Sequence, residues 1–290
     1  MAAGDLVTST RVADNLNNRS LSSNETTTVA DLISSVSAAI KRYCHTDFVS
    51  TSYDELYSGG GSQRLLLRQI PIVSVASVRY GPYAVLRITN TQTSTNQRAT
   101  AAVTSATDTD VVGTGLTLVR VASGVVTTDT SVTFAGNVTM TALANAINAL
   151  GNGWSATVMN NYGNWPSADL RIQGAVNCAQ GSYGEIKLHV IELSDFQVDR
   201  KRGWLLRGIN ALITQWDDPM AVFTPGIDNY RVLYTAGYTT VPLDVQEACA
   251  EWVTALFWQS KSNPVAVPPT PPPHVALILD HYRQVNIMPI

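Results

Sequence analysis

Three consecutive glycines beside basic residues, in "YDELYSGGGSQRLLLRQIP" (residues 53–71), are the first place where this sequence could do chemistry. Such a run can cradle a phosphate on backbone N–H groups when a helix follows it. A phosphate loop needs G-x-x-x-x-G-K-[ST], whereas Gly59, Gly60 and Gly61 lead into the strand-like "SQRLLLRQI" with no lysine. The glycines therefore read as the tip of a β-hairpin joining the "YDELY" and "RLLLR" strands, where glycine supplies a positive φ. "GTG" at 113–115 lacks the third glycine and the following helix of a dinucleotide fingerprint.

The remaining reactive side chains are sparse. Cys44 is followed by His45, while His189, His274 and His281 stand alone in sequence. A fold that brought Cys44 beside a histidine would make a Cys–His nucleophile pair. Cys44 also lies on an apolar helical stripe, where a free cysteine behaves as a small buried hydrophobe, and His45 suits a helix C-terminus. Asp217 and Asp218 in "TQWDDPM" could offer paired carboxylates, but adjacent residues in a Pro-terminated turn are more often solvated turn formers. Cys44, Cys178 and Cys249 form no CxxC pair and have no histidine at finger spacing, which argues against structural zinc and a disulfide framework. Neither G-x-S-x-G nor HExxH occurs. No catalytic residue, metal or cofactor is expected. A hydrolase built on Cys44 or the aspartate pair is the catalytic alternative.

The elements that position these residues follow from periodicity. "ETTTVADLISSVSAAIKRYCH" (25–45) places Val29, Leu32, Ile33, Val36, Ile40, Tyr43 and Cys44 at helical steps, with capping hydroxyls ahead of it. A short helix over about Thr10 to Leu16 precedes it. Strands are expected at Ser52–Tyr57, Arg64–Gln69 and Ile72–Tyr80. From about Leu86 to Asp195 the chain becomes rich in Ser and Thr with short β-branched runs. One helix interrupts it, "TMTALANAINALGNG", capped by Thr139 or Thr141 and stopped at Gly151. Beyond Phe196, "GWLLRG" and "NYRVLYTAGY" read as strands, and "PLDVQEACAEWVTALFWQSKS" as a core helix. The proline run "VPPTPPP" is extended. A last short helix near His274 to Val285 needs a partner surface, either its own subunit or a neighbour.

Bulk properties narrow the function classes. Hydrophobic content of 45% describes a folded chain, and the net charge of −3 gives no basis for tight binding to a nucleic-acid backbone. The densest basic run, Arg200, Lys201 and Arg202, reads as a solvated turn. No signal peptide or membrane span is expected, and the separated cysteines fit a reduced, cytosolic origin.

The order of segments resembles a known family. "ADLISSVSAAIKRYCHTDFVSTSYDELYSGGGSQRLLLRQIPIVSVASVRY" is similar to the first half of the gp6-like head–tail connector (adaptor) proteins of tailed bacteriophages. "RVLYTAGYTTVPLDVQEACAEWVTALFW" resembles the second half, and "VPPTPPPHVALILDHYRQV" the closing segment. About 110 residues separate the halves, where the family has a short connection. A domain inserted at an exposed hairpin tip would account for them.

The resemblance implies an α+β fold: a helical adaptor core, with long helices at about 25–45 and 242–262, and a small antiparallel sheet. To this is added an inserted β-rich domain carrying one helix. The expected division is 1–85 and 196–263 for the discontinuous core, 86–195 for the insertion, and 264–290 for a proline-rich linker with a C-terminal docking helix. It also implies a structural virion protein, made in the host bacterial cytoplasm, that forms a ring (commonly twelvefold in the family) at the head–tail interface. Its partners would be its own copies, the portal protein and a tail or neck completion protein. Genomic DNA would pass through the lumen without sequence-specific binding, and no membrane is involved. Val275, Ile278, Leu279, Tyr282 and Arg283, with Ile287 and Ile290, are the residues expected to bind the portal or a neighbouring subunit. The alternative is a binding module whose inserted domain recognises a glycan or receptor through Trp154, Tyr162 and Trp165.

Overall fold

The computed structural model describes residues 4–16, 20–92, 94–105, 113–179, 181–208, 221–260, 267–268 and 270–283. Two helices open the chain, α1 (Ser9–Asn15) and α2 (Ser23–Cys44). Seven strands follow: β1 (Thr51–Gly59), β2 (Arg64–Leu66), β3 (Ile72–Tyr80), β4 (Tyr83–Asn90), β5 (Asn96–Thr104), β6 (Gly115–Ala122) and β7 (Val125–Thr133). Helix α3 (Met140–Ala149) precedes β8 (Trp154–Val158), β9 (Gln173–Asn177), β10 (Gly184–Leu188) and β11 (Ile191–Glu192). The last strands are β12 (Phe196–Asp199), β13 (Trp204–Arg207) and β14 (Gly226–Ala236), and helices α4 (Leu243–Ser260) and α5 (Pro273–Leu279) close the order.

Helix α2 starts where its sequence supplies both halves of a capping box. The Ser22 hydroxyl accepts the Glu25 N–H, and the Glu25 carboxylate accepts the Ser22 N–H at 2.9 Å. It stops at His45, whose left-handed φ of 53° ends the α-turn. Val29, Ile33, Val36, Ile40 and Cys44 are buried on one stripe. They meet the α4 stripe of Val245, Cys249, Trp252, Val253 and Phe257 in a core that also takes in Val12, Phe48, Val275 and Leu279. Arg11 on α1 reaches Glu247 on α4 through its Nε at 3.1 Å, which helps fix the first helix on the last long one.

Two sheets adjoin this helical layer in sequence. In the first, ordered β1-β14-β3-β11, β14 is flanked by two long antiparallel partners. Its register with β1 runs from Thr51↔Ala236 to Gly59↔Gly226. The second is ordered β12-β13-β2. Their shared core contains Tyr57, Leu67, Val78, Leu205, Phe223, Tyr230 and Val232. The chain leaves the first sheet after β3 and returns through β11, which pairs with the end of β3 (Ile191↔Tyr80). Between these points, β7-β6-β5-β9 and β10-β4-β8 form two more sheets, and α3 packs Met140, Leu143 and Ile147 into their own separate core.

The expected α+β molecule built on a helical core is thereby corrected. Strand makes up 38% of the structure, and the described residues contain fourteen strands in four antiparallel sheets. The long helices occur, but they pack mainly on one another and leave the sheets to build cores of their own. Seven strands lie outside β4–β10, far more than one small sheet requires.

The triglycine hairpin is corrected as well, since β1 pairs with β14 and β2 with β13. The glycines carry the chain from the edge of one sheet to the edge of the next. Gly59 donates its N–H to the Asn229 side chain at 2.8 Å, and Gly61 donates to the Phe223 carbonyl at 2.8 Å. A Cβ at Gly59 would stand 2.0 Å from the Thr224 carbonyl oxygen, so close approach of backbone is what requires glycine there. The final helix is shorter than expected: α5 ends at Leu279 and tightens into a 3-10 turn over Asp280–Tyr282.

One charged cluster fastens the β4–β10 region to the first sheet. Asp54 on β1 accepts a bidentate pair from Arg231 on β14, at 3.0 and 2.9 Å, and also accepts Arg171. Asp169 accepts Arg231 at 3.3 Å and Arg79 on β3 at 3.1 Å, and Arg79 also reaches Glu192 at 3.1 Å. Arg171 and Arg231 are buried. Burial alone would raise the Asp54 carboxyl, but hydrogen bonds and charge from Arg231 and Arg171 outweigh it and hold the group below its ordinary value.

Candidate interaction site

The residues expected to bind a partner gather where α5 meets the end of α2 and the start of α4. Pro272 caps α5 and Pro273 occupies its first turn, where a missing N–H costs nothing. Seven residues make a helix too short to stand alone in water, so its stability comes from its docking face. Val275 and Leu279 are completely buried in the helical core of their own subunit, and Ile278 and Tyr282 pack half-buried against it. Burying Val275 and Leu279 stabilises the docked helix by about 1.5–3 kcal/mol each.

Polar contacts fix the same arrangement. The Tyr43 hydroxyl donates to Asp280 at 2.7 Å, and the Tyr282 hydroxyl to Asp244 at 2.8 Å. Cys44 Sγ lies 3.7 Å from the Leu279 carbonyl. The Tyr282 ring stands edge-on to Phe48 (5.6 Å between centroids) and to Tyr238 (6.2 Å). The Arg283 guanidinium lies 5.1 Å from the centre of the Tyr43 ring. Burial, with the hydrogen bond and charge of Asp244 behind it, pushes the Tyr282 hydroxyl up to about 12.

The structure thus divides the expected set. Val275 and Leu279 face inward, Ile278 and Tyr282 lie at the margin, and Arg283 reaches the surface. Ile287 and Ile290 lie outside the described residues. Tyr282 and Arg283 line a hollow of about 490 Å³ together with Lys201, Tyr238 and His281. The sequence reading assigns none of these last three to an interface. Lys201 belongs to the basic run that reads as a solvated turn, and the structure places it in an exposed turn; Tyr238 closes the "YTAGY" strand motif. Leu277, 72% exposed, is the apolar side chain that α5 turns to solvent.

The other candidates are placed as follows. Cys44 is buried, and burial with the charge of Asp280 pushes its thiol up to about 12. Asp217 and Asp218 lie outside the described residues. Trp154, offered as a sugar-facing ring, is instead buried, with its indole N–H donated to Asp129, a packing role that its apolar surroundings dictate. Tyr162 and Trp165 are half-buried and meet edge to face at 5.5 Å. Among the described residues, no group of three or more His, Cys, Asp and Glu is placed to hold a metal ion, and no helix is long and apolar enough to cross a membrane.

No protein-family model matches the chain, and no curated protein is similar to it. Among solved structures, a chain from the neck of an empty GTA particle computed with C6 symmetry is similar. That likeness covers 99% of this chain and 94% of the other, at 13% identity and a TM-score of 0.40.

Proposed function

We propose that this protein is a non-catalytic structural subunit of the neck of a phage-like particle. Its copies assemble into a ring between the portal and the next neck or tail component, and the ring extends the channel through which DNA passes. The observation that carries the reading is the way segments from both ends of the chain join. β1 and β14 pair over their length, and α2 packs against α4, although the partners are separated by the whole β4–β10 region. The segments that join are the ones whose motifs resemble head–tail adaptors, "YDELY", "YTAGY" and the helices beside them.

Physical properties support the same reading. A ring closes a heterologous interface on itself and leaves no unsatisfied patch. A formal charge of −3 on a 290-residue chain suits a channel along which DNA slides without adhering. Localisation is tested by immunogold labelling of purified particles with antibody to this chain. Gold at the head–tail junction is the expected result; gold along the tail or on the head shell would refute the assignment.

A further inference from the structure

A second hollow adjoins the one at the C-terminal segment. It measures about 410 Å³ and is lined by Lys41, Arg42, His45 and Arg68, with Asp47 as its one carboxylate. The two hollows share Thr46, and Gln69 of one precedes Ile70 of the other in sequence, so they form one continuous surface. Its linings carry five cations, Lys41, Arg42, Arg68, Lys201 and Arg283, in a chain that is acidic as a whole. Among the described residues, neither Arg42 nor Lys201 has an ion pair or a side-chain hydrogen bond. Lys41 lies 3.7 Å from Asp47, and Arg68 lies 3.7 Å from Glu55.

The nearby carboxylates are already engaged by hydroxyl groups. Asp280 accepts Tyr43, Asp244 accepts Tyr282, Asp47 accepts Tyr53, and Glu55 accepts Tyr57 and Tyr234. Cations in a concave, low-dielectric wall focus their field into the hollow. The Tyr238 and Tyr282 rings give the same wall an apolar surface on which carbon atoms of a ligand can rest.

We propose that these two hollows are a docking surface for a short acidic peptide segment of a partner protein. Its carboxylates pair with Arg42 and Lys201, and its backbone and aliphatic atoms lie against Tyr238 and Tyr282. A short segment seated in the hollows meets five cations and one lining carboxylate, Asp47, which Lys41 already approaches at 3.7 Å. A long polyanion such as duplex DNA, running past the hollows, would also overrun Asp244 and Asp280 and lose by repulsion what it gained. The inference rests on charge and shape alone and stands apart from the neck assignment.

The test is fluorescence anisotropy of a labelled octaglutamate peptide, and in parallel of a labelled 20-base-pair DNA duplex, titrated with the full chain at 50 and 200 mM salt. The expected result is saturable peptide binding that weakens with salt, with duplex binding at least tenfold weaker. Arg42→Glu/Lys201→Glu should weaken peptide binding at least tenfold. The same reversal at a distant exposed position, Arg98→Glu, should leave it unchanged, with circular dichroism showing both variants folded. Equal or tighter binding of the duplex would assign the surface to nucleic acid instead. Absence of peptide binding, or binding indifferent to the double reversal, would overturn the proposal. If the double variant failed to fold, Lys201→Gln alone would serve, with a threefold or greater loss expected and no loss contradicting it.

Discussion

Asp54 is the residue on which the joint between the β4–β10 region and the first sheet turns, because two buried guanidinium groups share its carboxylate. Removing its charge leaves Arg171 and Arg231 buried without that partner. Asp54→Asn should therefore cost about 3 kcal/mol in urea unfolding, near the low end for a broken buried pair because Asp54 keeps some contact with water. Its folded pKa lies below the unfolded value. The stabilisation is therefore complete above about pH 4 and is lost as pH falls through the folded value. Stability measured downward from pH 5 should fall less steeply in Asp54→Asn than in the parent, and identical slopes would contradict the assignment. The three thiols make a second residue-scale case. Burial pushes Cys44 and Cys249 up to about 12 and Cys178 up to about 11. A disulfide reagent such as DTNB at pH 8 should find no fast thiol in the folded protein and three after denaturation. One fast-reacting cysteine in the native state would favour the nucleophile reading.

At the scale of elements, local pattern and partner choice behave differently. The stripe from Val29 to Cys44 and the Thr139 cap were legible because helix periodicity and capping are written within a few residues; the structure starts those helices at Ser23 and Met140. Ser22→Ala removes the hydroxyl of the capping box and should lower stability by about 1 kcal/mol, read as a shift of the urea midpoint at unchanged slope. What a strand pairs with is not a local property. "YDELY" and "RLLLR" alternate as strands should, yet their partners lie more than a hundred residues away, so the glycine run between them reads locally as a hairpin tip although it joins two sheets. The difference in fold class has a related reason: short strands such as β11 and β12 carry weak periodicity singly and become visible only when paired. At the candidate site, the apolar spacing of Val275 and Leu279 gives a helix face that needs burial but does not say whose core it enters. The structure seats it on its own subunit. Leu279→Ala should cost about 2–5 kcal/mol. The loss should be accompanied by faster proteolysis after α4; unaltered protease resistance would mean that α5 does not hold the chain end.

For the whole molecule, the central claim is that this chain builds a ring of a particle neck. The fold is suited to it through two features: a unit closed by strands and helices from both ends of the chain, and a strand-rich region that leaves and re-enters through neighbouring strands β3 and β11. Such an exit and return lets the middle region project while the ends remain paired, so its removal should spare assembly. A chain in which a short Gly-Ser linker replaces residues 83–190 should still fold and oligomerise, as judged by sedimentation; loss of both would show that the region is integral to the assembling unit. The most direct measurement is negative-stain imaging of the purified protein with and without the portal of its own particle. Rings of uniform rotational symmetry seated coaxially on the portal are the predicted result. A protein that stays monomeric at all concentrations and ignores the portal would contradict the account.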